Sequence, residues 1–219
     1  MSVTVALPAI PLAQSPARLA LRRFLRRPVA VAGLVVIVVF VVVATFAPLI
    51  APHDPIATSW TAIRKAPSAL HWMGTDENGR DVLSRVIFGA RASLLAGVIS
   101  VLIAAGIGVP AGLLAGFAGG WTDALLSRLV DAMLACPFLI LAIALAAFLG
   151  PDLTNAMIAI GVSTAPRFMR VARAATLDAN SNDYVEAARA VGNPAWRVAV
   201  RHVLPNIFPP VLVQGTLSI

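Results

Sequence analysis

Apolar residues in this 219-residue chain come in long unbroken runs, and polar ones gather between them. Residues 29–50 form the first run, 22 positions without a charge. At about 1.5 Å rise per residue, a helix of that length crosses a hydrocarbon core of about 30 Å. The apolar part of a cleaved leader would be only about 7–15 residues, so this run reads as a retained span. Pro48, Pro52 and Pro55 end it, and residues 51–91 mix Asp54, Arg64, Lys65, Asp76, Glu77, Arg80, Asp81 and Arg85 into a soluble segment. Residues 92–117 make a second span and Gly119-Gly120 a tight turn. Residues 125–150 make a third span, in which Pro137 kinks the helix or loosens its hydrogen bonds. After Pro151-Asp152 a fourth span opens at Leu153, uncharged as far as Pro166, and continues through Arg167, Arg170 and Arg173. Residues 177–202 are polar and helix-prone, with a break at Gly192-Asn193-Pro194 that ends one helix and lets another begin. Residues 204–219 read as the opening of a fifth span.

Composition fixes the solvent. The chain is 59% hydrophobic and 12% charged, with a mean hydropathy of +0.87, whereas a soluble domain carries about 25% charged residues. This is an all-α integral membrane protein. The net charge of +7 points to topology and anionic lipid rather than nucleic acid, because no basic-aromatic pattern accompanies it. Arg18, Arg22, Arg23, Arg26 and Arg27 close the tail at residues 1–28 with no acid among them. By the positive-inside rule the tail stays in the cytoplasm, the first span runs outward, and residues 51–91 are extracytoplasmic. Four crossings then return the polar hairpin at residues 177–202 to the cytoplasm.

Individual side chains sharpen this reading. Gly108, Gly112, Gly116 and Gly120 recur every fourth residue, so they share one helix face and let another helix approach closely. Arg128 and Asp131, three apart, pair on one face near the inner end of the third span. Arg167, Arg170 and Arg173 lie along one inner flank, where they either snorkel to the headgroups, the default, or line a polar vestibule. Cys136 is a small buried hydrophobe, so there is neither a disulfide framework nor a thiolate metal site. His53-Asp54 and His71 match no compact ligand motif and read as solvated loop residues, so neither metal nor cofactor is expected. No G-x-x-x-x-G-K motif occurs, so ATP hydrolysis would have to come from another chain.

A bare turn between spans needs few residues, so the hairpin calls for a purpose. Alanines at 187, 188 and 190 make a narrow helix with Glu186 as its acid, able to enter a groove on another protein. The competing reading is an amphipathic helix resting on the membrane surface.

Glu186-Ala187-Ala188, then Gly192, then Leu204-Pro205 resembles the EAA loop of ABC importer permeases. His202 departs from the general pattern, but Arg201 to Asn206 resembles the Arg-His-x-Leu-Pro-Asn ending of the peptide-importer branch. A second segment, Gly74-Thr75-Asp76-Glu77-Asn78-Gly79-Arg80-Asp81-Val82-Leu83-Ser84-Arg85 with Gly89-Ala90-Arg91, is similar to dipeptide, oligopeptide and nickel permeases of the "C" type. Arg26-Arg27-Pro28 and Pro48-Leu49-Ile50-Ala51-Pro52 fit the same branch.

The resemblance implies a type I ABC importer transmembrane domain at residues 92–219, with five spans begun of an expected six. It implies no enzyme activity. Expected partners are a homologous second permease, cytoplasmic ABC ATPase subunits that receive Glu186 to Gly192, an extracytoplasmic substrate-binding protein and membrane lipid. Substrates of the branch are dipeptides, longer peptides, nickel chelates and glutathione. Because the chain stops in the fifth span, a truncated product or a non-transporting scaffold is the alternative. An ion-driven transporter would want ionisable groups near mid-membrane, and only Arg128 and Asp131 offer themselves.

Overall fold

The computed structural model describes residues 16–219, so the expectations for residues 1–15 of the tail lie outside the described residues. The chain divides into two compact units, Met1–Arg91 and Ala92–Ile219. Secondary structure among the described residues is helical apart from one isolated bridge, Thr75 with Asp81.

In the first unit, the arginine-rich tail forms a helix of its own, α1 (Pro16–Leu25). Pro28 opens α2 (Pro28–Thr45), where its missing N–H costs nothing and its fixed φ suits a first helical turn. Residues Ala32 to Val42 on α2 are all exposed, as lipid contact requires of a helix apolar on every side. The first run breaks at Phe46, and the four residues of α3 (Ala47–Ile50) follow as a separate turn.

Residues 51–81 carry only a short 3-10 turn, Trp60–Ala62, yet hydrogen bonds staple them. Asp76 Oδ1 accepts from the Asn78 and Arg80 amides at 2.8 and 3.0 Å, and Oδ2 from Arg80 Nε at 2.9 Å. Arg85 reaches the same carboxylate. Gly79, at φ +72°, turns the chain where a Cβ would collide with the Ser59 carbonyl. The Gly-Thr-Asp-Glu-Asn-Gly-Arg-Asp motif is therefore a self-closing loop.

Helix α4 spans Val82–Ala118, 37 residues. The second span was expected from residue 92, but the helix begins ten residues earlier, because Asp81 caps it: its Oδ2 accepts from the Ser84 amide at 2.8 Å.

In the second unit the core is formed along α7 (Leu153–Asn180), the longest helix that lies wholly within it. Gly108, Gly112 and Gly116 on α4 lie against it. A Cβ at Gly108 would stand 2.5 Å from the Ala165 carbonyl, and one at Gly112 2.5 Å from that of Met169. At Gly116 it would stand 2.8 Å from Thr176 Cβ. On the opposite side of the seam, Gly161 admits Ile103, and Ser100 donates to the Met157 carbonyl at 2.9 Å. Gly120 stands outside this row: it has φ +55° and open space around it, because Gly119-Gly120 turns the chain instead of continuing the helix.

The third span is not one helix. α5 (Gly120–Ala135) and α6 (Phe138–Leu149) meet at Cys136-Pro137 with a bend of 94°. Pro137 removes an amide and Cys136 before it takes an extended backbone, as the residue preceding proline tends to. By length and composition, α2 and α4 can each cross a membrane, and α5 with α6 makes a third crossing if the bent pair is one span.

The ion pairs also differ from the local expectation. Arg128 does not bind Asp131; Arg170 does, at 2.6 Å. Arg173 clasps Asp123, and the Arg167 guanidinium lies 5.1 Å from the centre of the Phe138 ring. The three arginines of α7 are thus engaged by α5 and α6.

Candidate functional site

The polar hairpin after α7 becomes α8 (Asp183–Ala190), a short helix with a divided surface. Val185 is fully buried and Ala188 nearly so, while Glu186 and Ala187 are exposed. Val185 and Ala188 join a core that includes Ala104 of α4, Phe168, Ala172 and Ala179 of α7, and Val198, Val203, Ile207 and Val211 beyond the hairpin. The helix is seated on the bundle by one face and offers the other. Among the described residues Glu186 makes no ion pair, and it stands on the exposed face of α8.

Gly192 ends α8 in a left-handed conformation, φ +85°. Its amide bonds the Arg189 carbonyl at 2.9 Å, and the Asn193 amide reaches back to Ala188 at 3.3 Å. These two bonds are a Schellman cap, which satisfies the last carbonyls of the helix and needs a residue tolerant of positive φ. Asn193 strengthens it with a side-chain bond to the Ala188 carbonyl at 3.0 Å.

Beyond the cap, α9 (Ala195–Val198) leads into a π turn at Ala199–Val203 and then α10 (Leu204–Ser218). Pro205 has no amide to give the Arg201 carbonyl, and the wider turn precedes it, with the Leu204 amide bonding back to Ala199. Leu204 packs on the same core as α8 while Pro205 is exposed. The structure therefore joins Ala188 and Leu204 through shared packing and leaves Glu186, Ala187 and Gly192 on the surface.

Sequence reasoning missed three contacts that tie α8 down. The Asn180 side chain donates to the Gly116 carbonyl at 3.1 Å, linking the end of α7 to the end of α4. Arg189 donates to Asn180 Oδ1 at 3.3 Å and lies 5.4 Å from the centre of the Phe117 ring. A signal for them was present: Asn180 stands where the helix must stop, and Arg189 is three residues from Glu186 on a short helix. Their partners on α4 are more than 60 residues away and leave no local trace.

Residues 108–219 match the family model described as "Binding-protein-dependent transport system inner membrane component". Residues 15–67 match "N-terminal TM domain of oligopeptide transport permease C". The chain is 41% identical to the dipeptide transport system permease protein DppC of Alkalihalophilus pseudofirmus, over 94% of this chain and 68% of that one. It is 45% identical to the probable D,D-dipeptide transport system permease protein DdpC of Escherichia coli K12, over 88% and 64%. To the glutathione transport system permease protein GsiD of Pectobacterium atrosepticum it is 37% identical, over 90% and 66%. The chain spans about two thirds of the length of these relatives.

Proposed function

Because this chain belongs to the family of binding-protein-dependent transport system inner membrane components, a family of transporter permeases and not of enzymes, we propose that it is a membrane permease subunit of a peptide importer driven by a separate ATPase. In this reading the subunit supplies half of a translocation path, and a homologous permease supplies the other half. The arginines of α1 and the hairpin carrying α8 face the cytoplasm, and residues 51–81 face outward toward a substrate-binding protein.

The single observation that carries the reading is the two-faced seating of α8. Val185 and Ala188 lock it into the bundle, while Glu186 and Ala187 are offered outward. Such a helix can enter a cleft on an ATPase subunit with Glu186 against a partner cation and Gly192 turning the chain out again. Closure of the ATPase pair on ATP then displaces α8 as a rigid piece. The displacement reaches α4 through Arg189, Phe117, Asn180 and the Gly116 carbonyl, and α7 and α10 through the shared core. A bundle with two packings converts that push into a change of access. Peptide is the proposed cargo because relatives are named for dipeptides and for the tripeptide glutathione.

Co-purification tests it directly. The tagged chain is expressed with its genomic neighbours and its companions are identified from detergent-solubilised membranes. Recovery of a second permease and ATPase subunits is expected, with ATPase activity stimulated by a peptide-loaded binding protein. A chain that comes out alone, or with an ATPase indifferent to peptide, overturns the reading.

A further inference from the structure

Three side chains of the segment before α4 converge although 28 residues separate the first from the last in sequence. His71 Nδ1 lies 2.9 Å from Asp81 Oδ1, and His53 Nδ1 lies 3.9 Å from the same oxygen. The two imidazole rings stand 4.9 Å apart, centre to centre. One donor atom from each of the three residues lies within 4.8 Å of the others. This corrects the reading of both histidines as solvated: the His71 side chain is 15% exposed, that of His53 35%, and that of Asp81 1%.

The arrangement is built, not incidental. Asp81 Oδ2 is taken by the Ser84 amide and hydroxyl, both at 2.8 Å, which fixes the carboxylate plane and turns Oδ1 toward the histidines. The His53 amide donates in turn to Ser84 Oγ at 3.1 Å, tying its backbone to the same serine. Ser84 is fully buried. Within this frame His53 Nδ1 is shielded from solvent and has no hydrogen-bond partner among the described residues. A buried, unpartnered imidazole nitrogen beside a carboxylate costs free energy unless something else binds it. Beside it lies a cavity of about 520 Å³, lined by Pro52, His53, Asp54 and Phe88 among others, through which an ion and its water could enter.

We propose that His53, His71 and Asp81 together bind one divalent transition-metal ion, with zinc as the reference ion. Two imidazoles and a carboxylate are the donor set such ions prefer over magnesium or calcium, which want mostly oxygen. Two donors each about 2.0 Å from a tetrahedral zinc stand about 3.3 Å apart, between the 2.9 and 3.9 Å found at Asp81. The ion lies where His71 now hydrogen-bonds Asp81, so binding moves the His71 proton from Nδ1 to Nε2 and frees Nδ1 for the metal. Ser84 then serves as the outer partner that orients the carboxylate. A fourth position opens toward the cavity and holds water. The ion clips His53 and His71 to the residue that caps α4, closing the loop that follows the first apolar helix. The proposal is independent of the importer reading.

The test uses the full chain with a tag free of histidine, purified in detergent and stripped with EDTA. Titration with Zn²⁺ alone should show one ion per chain, undisturbed by a large excess of Mg²⁺. Co²⁺ should give the intense visible bands of a tetrahedral or five-coordinate site. His53→Ala and His71→Asn should each weaken zinc binding at least about tenfold, while Glu77→Gln leaves it unchanged. His71→Asn keeps an N–H for Asp81, so it carries the test if His53→Ala fails to fold. No stoichiometric zinc, or the same affinity in wild type and His71→Asn, overturns the proposal.

Discussion

Arg173 of α7 grips Asp123 of α5 with two nitrogens, its Nη2 lying 2.6 Å from Oδ2 and its Nε facing Oδ1. The fork of a guanidinium matches the two oxygens of a carboxylate, so the bond fixes orientation as well as distance. One turn earlier on α7, Arg170 meets Asp131. These two pairs run along the contact between α5 and α7 in opposite chain directions.

The side chains of Arg173 and Asp123 are 33% and 22% exposed, between surface and interior. Asp123→Asn should therefore cost about 1–2 kcal/mol, more than a surface pair and less than a buried one. Thermal unfolding of the purified chain in detergent checks this. Exchanging both residues, Asp123→Arg with Arg173→Asp, should recover part of the loss. An unchanged melting temperature in Asp123→Asn would mean the pair adds nothing to packing.

At Gly112, a methyl group would stand 2.5 Å from the Met169 carbonyl and 2.7 Å from Ala172 Cβ, so α4 and α7 would have to separate. Gly112→Ala should destabilise by about 1–3 kcal/mol as an overpacked contact. Gly106→Ala is the control: nothing lies within 4 Å of its added carbon, and it should gain up to about 1 kcal/mol from helix propensity. Equal melting temperatures for the two variants would show that the seam yields freely.

Coupling divides into docking and transmission. On the proposed reading Glu186→Lys reverses the charge that α8 would offer an ATPase subunit, so transport should be lost while membrane insertion and yield are unchanged. Arg189→Ala leaves that face intact but removes the contacts to Asn180 and Phe117. The ATPase should then still co-purify, with peptide stimulation of hydrolysis reduced several-fold. Wild-type uptake by Glu186→Lys would rule out α8 as the coupling helix.

Low pH should report the Asp76 loop. The Arg80 amide above all, with the Asn78 amide and the Arg80 guanidinium, outweighs burial and holds this carboxyl at about 2, against an ordinary 3.8. A group whose pKa falls on folding stabilises fully above its unfolded value, and that contribution is lost as pH drops through the folded value. The loop should hold its bonds down to 3.8 and release them toward about 2. An NMR titration of the Asp76 carboxyl carbon checks it; a midpoint near 3.8 would mean the amide bonds are absent in solution.

Much of the candidate site could be read along the chain. The Glu-Ala-Ala run and Gly192 mark a short helix and its stop, because side-chain size and positive φ are local properties. The histidine cluster could not be read. His53, His71 and Asp81 have no ligand spacing, and only the loop closed by Asp76, Gly79 and Ser84 brings them together. Arg128 and Asp131 made a plausible pair by helical spacing, yet Asp131 turns to Arg170, which is 39 residues away.

The sequence by itself determined that the chain is helical, that its apolar runs match a bilayer, and where the small and polar residues of the hairpin fall. Those properties depend on periodicity and composition within one segment. Tertiary structure decided which glycines of α4 meet α7, which acid each arginine of α7 holds, and how α8 is fastened to α4. Such choices depend on the angle at which two helices pack and on a 94° break at Pro137, and neither is encoded in the spacing of residues along one helix.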